Sequence, residues 1–242
     1  MDKHIVFLSL ALISEIIGTV SGFGSSILFV PLASLFFDFK IVLGITAIYH
    51  VFSNLTKIAL FFKGIDKNIA FKLGFPAVIF VSLGAVSTDY FPSEKLHVFM
   101  NGILMVLAGY LILNFNKTVT QNNKNLVVGG IASGFIAGIT GTGGAIRGIT
   151  LASFNLPKDI FIATSALIDF GVDSSRAVIY MYYGYFQSQY LYLIPILIGI
   201  SIVGSYIGKV ILTHTSEKHF RYIVLIVVIL TTIIQIVNYL TS

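Results

Sequence analysis

The 242-residue chain contains no cysteine and no tryptophan, only five prolines, and charged side chains at just 10% of its positions. Without cysteine there is no disulfide framework and no thiolate to bind zinc or an iron–sulfur cluster, although this absence says nothing about redox compartment. The shortage of charge excludes a soluble globule, whose composition carries roughly a quarter charged residues. What fills the chain instead is apolar: 56% of residues are hydrophobic and the mean hydropathy is +0.94. The main solvent is therefore lipid. At about 24 residues per crossing and loop, roughly ten helical segments fit, with almost nothing left outside the bilayer. No soluble catalytic or nucleotide domain has room, and a Walker motif is absent, so neither ATP nor a cofactor is expected. The formal charge of +5 comes from scattered bases. Loop lysines that orient membrane segments explain it, and nucleic acid is not an expected partner. The opening MDKHIVFLSLALISEIIG is read as a retained membrane segment rather than a cleaved leader. Glu15 interrupts its apolar run, and no convincing small-x-small cleavage site follows.

An internal repeat organises what is there. At an offset of 119 residues, Gly22 to Ser82 aligns without a gap. Gly22 and Gly24 fall on Gly141 and Gly143, Leu32-Ala33-Ser34 on Leu151-Ala152-Ser153, and Pro76 on Pro195. Polar positions agree too: Thr46 with Ser165, Thr56 with Ser175, Lys57 with Arg176. Apolar agreement alone is cheap between membrane helices, whereas matched glycines, prolines and charges are not. The expected architecture is an all-α polytopic membrane protein of two inverted repeats, residues 1–115 and 126–242, joined by a cytoplasmic linker at 116–125. The first repeat reads as segments 4–20, 25–37, 41–62, 69–90 and 96–115. The second reads as 126–140, 144–156, 160–182, 190–212 and 220–240. The first two segments of each repeat meet at glycine-rich joints, GFGSS and GTGGA, and form either a pair of crossings or a re-entrant hairpin.

Either form leaves each repeat with an odd number of crossings, which inverts the second against the first. Lysine and arginine placement supports that parity. Nine bases then share one side (Lys63, Lys67, Lys72, Lys117, Lys124, Lys158, Lys209, Lys218 and Arg221), against Lys3, Lys40 and Lys95 on the other. Even parity splits the same residues equally and orients nothing. Both termini are expected outside a plasma membrane. Lys57, Arg147 and Arg176 remain, and topology does not explain them.

A charge at the middle of a membrane helix costs about 2.5 to 3.5 kcal/mol on insertion scales, so a group of them calls for a reason. Thr46, His50, Ser53, Asn54 and Lys57 form one stripe of a helix, and their repeat mates are Ser165, Asp169, Val172, Asp173 and Arg176. The repeat sets these stripes about a pseudo-two-fold axis, where inverted-repeat transporters keep their substrate. One reading is that the charges only pair with one another, and Asp173 and Arg176, three apart, suit an intrahelical salt bridge. That leaves Asp169, one turn from Asp173, as a carboxyl poised to take up a proton. Asp169, Asp173 and His50 are the proton-coupling candidates. Glu15, whose repeat mate Gly134 is uncharged, either takes part in function or serves packing or pairing with a base, and Asp89, beside Pro92, is interfacial. At the joints, a helix start leaves its first N–H groups unpaired and its positive end inward, which suits an anion. The substrate-binding candidates are therefore Gly22, Gly24, Ser25 and Ser26 at the first joint and Gly141, Thr142, Gly143 and Gly144 at the second. Arg147, Arg176 and Lys57 supply countercharge, and Asn54 and Ser165 hydrogen bonds.

The stretches GTVSGFGSSILFVPL and GTGGAIRGITLASFNLPKDIFIATSALIDFGVDSSR resemble the TauE/SafE family of sulfite exporters and toluene-sulfonate uptake permeases, over nearly the whole chain. That resemblance implies a duplicated helical carrier for sulfite, thiosulfate, sulfoacetate, sulfonates or other small organic anions. The first joint departs from the family pattern in Ser25-Ser26, and Thr150 stands where the first repeat has Pro31, so the two half-sites are unequal. The resulting expectation is a secondary transporter and not an enzyme, with a small anion and the lipid bilayer as partners, protons as a candidate coupling ion, and homo-oligomerisation left open. A cation exchanger whose acids bind the cargo is the alternative. An intramembrane protease would need a GxSxG elbow or a helical HExxH motif, and neither occurs.

Overall fold

The computed structural model describes residues 3–62, 64–113, 122–154 and 156–216, together with residues 226 and 233. Nine α-helices occur among these: α1 (Lys3–Ser21), α2 (Ser26–Ala33), α3 (Phe39–Leu60), α4 (Lys67–Ser87), α5 (Ser93–Leu113), α6 (Asn123–Thr140), α7 (Gly144–Ala152), α8 (Lys158–Tyr182) and α9 (Leu193–His214). Their starts follow from local chemistry. Asp38, Asp66 and Asn122 each turn a side-chain oxygen onto a free N–H of the first turn, those of Lys40, Ile69 and Asn125. α6 stops where Gly141 takes the left-handed conformation, φ 75°. Four helices (α1, α3, α4 and α9) are long and apolar enough by composition to cross a bilayer. The protein is an all-α polytopic membrane protein. α6 begins within the stretch read as linker, whose greater part lies outside the described residues, as does the segment read at 220–240 apart from the two isolated positions.

Two elements are shorter than their apolar runs suggest. α2 ends at Ala33 and α7 at Ala152, after eight and nine residues. At 1.5 Å per residue these are about 12 and 14 Å long, under half the hydrocarbon thickness. α2 then folds back along α1, since Phe29 meets Phe7 with ring centroids 5.3 Å apart and Phe37 returns to the same ring at 5.1 Å. Each joint is thus the tip of a hairpin with one long arm and one half-length arm.

The packing obeys the repeat. α1 lies on α9 as α6 lies on α4, α3 on α9 as α8 on α4, and α1 on α2 as α6 on α7, while α3 meets α8 and α2 meets α7 at the centre. α3 and α8 run antiparallel. Gly44 near the start of α3 abuts Tyr185 beyond the end of α8, and Asp66 N, beyond the end of α3, donates to Thr164 Oγ1 near the start of α8 at 2.9 Å. The axis relating the halves therefore crosses the helices, and the repeats are inverted. Asn54 and Asp173 are repeat mates and bond to each other at 2.7 Å, which puts them on that axis. Lys158 and Lys209 donate to the carbonyls of Thr215 and Leu60 at one end of the bundle. Lys40 lies over the Tyr185 ring at the other.

Candidate functional site

Between two apolar clusters, one around Phe7, Tyr49 and Leu193 and one around Leu73, Phe161 and Leu212, lies a layer of buried charge. α3 contributes Thr46, His50, Ser53, Asn54 and Lys57, and α8 contributes Ser165, Asp169, Asp173 and Arg176, all buried. The helical stripes are as the spacing suggests. The charges resolve into three ion pairs: Glu15 with Lys57 at 2.8 Å, Arg147 with Asp169, and Arg176 with Asp173 at 2.7 Å. Three bases face three acids, so none of the bases stands as free countercharge in this conformation.

Glu15 is the most heavily engaged of the acids. Its carboxylate accepts from Ser25 (2.7 Å), Tyr49 (3.0 Å), Ser53 (2.8 Å) and Ser205 (2.7 Å) as well as pairing with Lys57. It thereby ties α1, the first joint, α3 and α9 together. Tyr49 and Ser205 escaped the sequence reading because neither sits on a polar stripe. The only signal was Glu15 itself, a lone acid in an apolar helix that has to find a base and donors. Ser25 is spent on Glu15, and Gly143 and Gly144 pack directly on the carbonyls of Ser133 and Phe23. Their absent side chains serve close approach of backbone. Ser26 begins α2 beside Gly24.

The first joint borders a narrow polar pocket with room for about one water in this conformation. Gly18, Gly22 and Gly24 form one wall, Asn54 and Lys57 of α3 another, and Ile162, Ser165, Ala166 and Asp169 of α8 the third. Gly22 and Gly24 hold positive φ (69° and 86°), so the chain turns sharply there and presents backbone rather than side chain. Arg147 reaches in from α7, donating through Nε to Ser165 Oγ at 3.1 Å while its terminal nitrogens grip Asp169. Ser165 Oγ in turn donates to Gly22 O at 3.3 Å. The Asp169 side chain keeps 13% exposure, against 9% or less for the other five charged partners. It is the acid most open to the cavity.

At the second joint the equivalent space is filled. Leu43, the repeat mate of Ile162, and Val30 press on Gly141. Arg176 passes beside Gly141, its Nε on Asp173 and its Nη2 3.2 Å from His50 Nδ1. The structure thus brings Lys57, Asn54, Ser165, Arg147 and Asp169 together with the first joint, and Arg176, Asp173 and His50 with the second. Among the described residues no group of three His, Asp or Glu side chains is placed to hold a metal ion.

No curated protein and no solved structure matches the chain. A family model does, described as sulfite exporter TauE/SafE and covering residues 6–234, which include both glycine joints and all six buried charges. The chain therefore belongs to the TauE/SafE sulfite exporter family of sulfur-anion transporters.

Proposed function

We propose that the protein is a secondary carrier for a compact sulfur oxyanion of the sulfite or thiosulfate kind, bound at the first glycine joint and accompanied by a proton on Asp169. The observation that carries this reading is the cavity between that joint and the Arg147–Asp169 pair. Its walls carry the Lys57 ammonium, which Glu15 holds in this conformation, with an amide, a hydroxyl and glycine backbone, and the Arg147 guanidinium is one bond away. Among the described residues Ile162 and Ala166 are its only apolar side chains and no aromatic ring lines it, which favours a small oxyanion over an aryl sulfonate.

The charge sum supplies the coupling. With all six groups ionised the layer is neutral, and an entering anion has to compete with a carboxylate for Arg147. Asp169 faces Arg147, Asp173, Lys57 and Arg176. When it takes a proton, Arg147 loses its partner, the layer gains one positive charge, and the guanidinium fork is free to take two oxygens of the anion. A monoanion then travels with one proton without net charge. An unaccompanied anion is instead driven outward by an interior-negative potential, by about 2.3 kcal/mol per charge per 100 mV. We place the lysine-rich end of the bundle in the cytoplasm and the carrier in the plasma membrane.

Reconstituted protein tests this with methanesulfonate and thiosulfate, whose own charges are constant around neutrality. Binding is expected to strengthen as pH falls, because acid frees Arg147. Asp169→Asn mimics the protonated state and is expected to bind at every pH with that dependence gone. Arg147→Gln is expected to lose about 100-fold or more in binding, as befits a charge-assisted bidentate contact. Undiminished flux of labelled anion through Arg147→Gln overturns the assignment. A current with the sign of a moving cation, and no anion flux, favours the cation exchanger instead.

A further inference from the structure

Away from the charged layer, contacts climb α4 and α6 together, Leu73 with Gly130, Ala77 with Gly134 and Val81 with Gly138, so the two helices run parallel and begin at the same end of the bundle. The seam between them is backbone on backbone: a Cβ at Gly130 would stand 2.3 Å from Leu73 O and one at Gly134 2.2 Å from Ala77 O. One flank of the pair faces protein, since Gly74 packs on Ile168 of α8 and Gly129 on Thr150 of α7. The other flank faces lipid. There α4 presents Lys72, Pro76, Ile79 and Leu83. α6 presents Lys124, Val128, Ile131 and Phe135. Both sets follow the spacing i, i+4, i+7, i+11, a single stripe on each helix. Ile79, Leu83, Val128 and Phe135 are exposed. Eleven residues of helix rise about 16 Å, close to the hydrocarbon depth of one leaflet.

Each stripe is headed by a lysine, and the two heads meet. Lys72 Nζ reaches across the seam to donate to Asn123 Oδ1 at 2.9 Å, and Lys124 is the next residue. Neither lysine is neutralised, because the ion pairs among the described residues are the three of the buried layer. Lys158 and Lys209, at the same end of the bundle, are by contrast engaged with the carbonyls of Thr215 and Leu60. The repeat supplies a comparison. The offset of 119 carries Lys72 onto Leu191 and Lys124 onto Ile5, both exposed, at the opposite end of the molecule. The corresponding groove between α9 and α1 is thus headed by apolar side chains. The helix pair packs with or without the lysines, so their charge answers to something outside the fold.

We propose that the lipid-facing groove of α4 and α6 binds one anionic phospholipid, its phosphate between Lys72 and Lys124 and its acyl chains along the two apolar stripes. Lysine suits this place, since its long apolar stem lies along the helix while the ammonium reaches headgroup level. Basic pockets between membrane helices at the cytoplasmic side select anionic headgroups in this way. A zwitterionic lipid brings an ammonium of its own toward the two lysines and is disfavoured. Free phosphate has the charge but no chains for the stripes. Bound across the seam, the lipid joins the starts of α4 and α6. The site is independent of the anion pocket at the first joint.

Native mass spectrometry of the detergent-purified full chain tests this, with dioleoyl phosphatidylglycerol and dioleoyl phosphatidylcholine as probes. Wild type is expected to retain one phosphatidylglycerol, bound about ten-fold or more tighter than phosphatidylcholine, because each lysine beside an anionic headgroup contributes about five-fold. In the double variant Lys72→Gln with Lys124→Gln that preference is expected to fall to within about two-fold. Lys67 is exposed at the start of α4 but lies about 140° round the helix from Lys72, so Lys67→Gln is expected to keep the preference. Leu191→Lys with Ile5→Lys rebuilds the heads in the opposite groove and is expected to add a second phosphatidylglycerol. Inorganic phosphate is expected to displace no lipid. Equal affinity of wild type for the two lipids, a loss in Lys67→Gln as large as in the double variant, or displacement by inorganic phosphate overturns the site.

Discussion

Each buried ion here carries an obligation that its neighbours meet, and the Glu15–Lys57 pair is the clearest case. Both side chains are shut off from solvent, and four hydroxyls complete the shell of the carboxylate. Removing one member of such a pair strands the other, at about 3 to 5 kcal/mol, whereas removing both with isosteric neutral groups is close to harmless. Glu15→Gln and Lys57→Met are each expected to lower the thermal unfolding temperature of detergent-solubilised protein markedly, and the double variant to recover most of the loss. Additive single effects would show that the pair is not coupled. At this scale much was legible. Lys57, Arg147 and Arg176 stand out because the positive-inside distribution leaves them unexplained, and spacing alone suggests that Asp173 meets Arg176. The partners of Lys57 and Arg147 were not legible, because Glu15 and Asp169 reach them from other helices and no local rule encodes such an approach.

Among the elements, the tightest contact is the parallel packing of α6 against α4, built on glycine. Gly134 lies against the backbone of Ala77 and Gly138 against Val81 O and the Ala85 and Gly84 backbone. Small residues let two membrane helices close to van der Waals range, where packing replaces the hydrophobic force that lipid cannot supply. Gly134→Leu is therefore expected to force the pair apart and abolish a monodisperse folded peak in size-exclusion chromatography. Gly102→Leu on α5, where a Cβ meets nothing within 4 Å, is expected to leave that peak unchanged. Equal behaviour of the two would mean that α4 and α6 tolerate separation. Nine of the ten segments expected from hydropathy are helices among the described residues, the one at 220–240 lying outside them, but the lengths of α2 and α7 did not follow from hydropathy. Their apolar runs continue through Leu35-Phe36-Phe37 and through Phe154, and hydrophobicity does not distinguish another helical turn from ring packing in a loop. Phe36 and Phe37 leave the helix to pack on Phe7.

For the whole molecule, inversion is the property from which the paired joints follow. It was legible because a repeat with an odd number of crossings has no other way to lie in a bilayer, and the lysine distribution agrees. The antiparallel α3 and α8, with Asn54 and Asp173 meeting on the axis, are its geometric counterpart. The half-length α2 and α7 do not disturb the parity, since each returns the chain to the end from which its long partner started. The start of α6 and the turn before α9 accordingly lie at opposite ends of the bundle. Since the chain lacks cysteine, any thiol introduced at the surface reports on its own position without background. Lys124 at the start of α6 and Gln189 in the short turn before α9 are both exposed. In intact cells, an impermeant maleimide is expected to modify Gln189→Cys and to spare Lys124→Cys until the membrane is opened. The reverse pattern would turn the molecule over without touching the fold. Modification of both from one side would break the inversion, and with it the equivalence of the two joints.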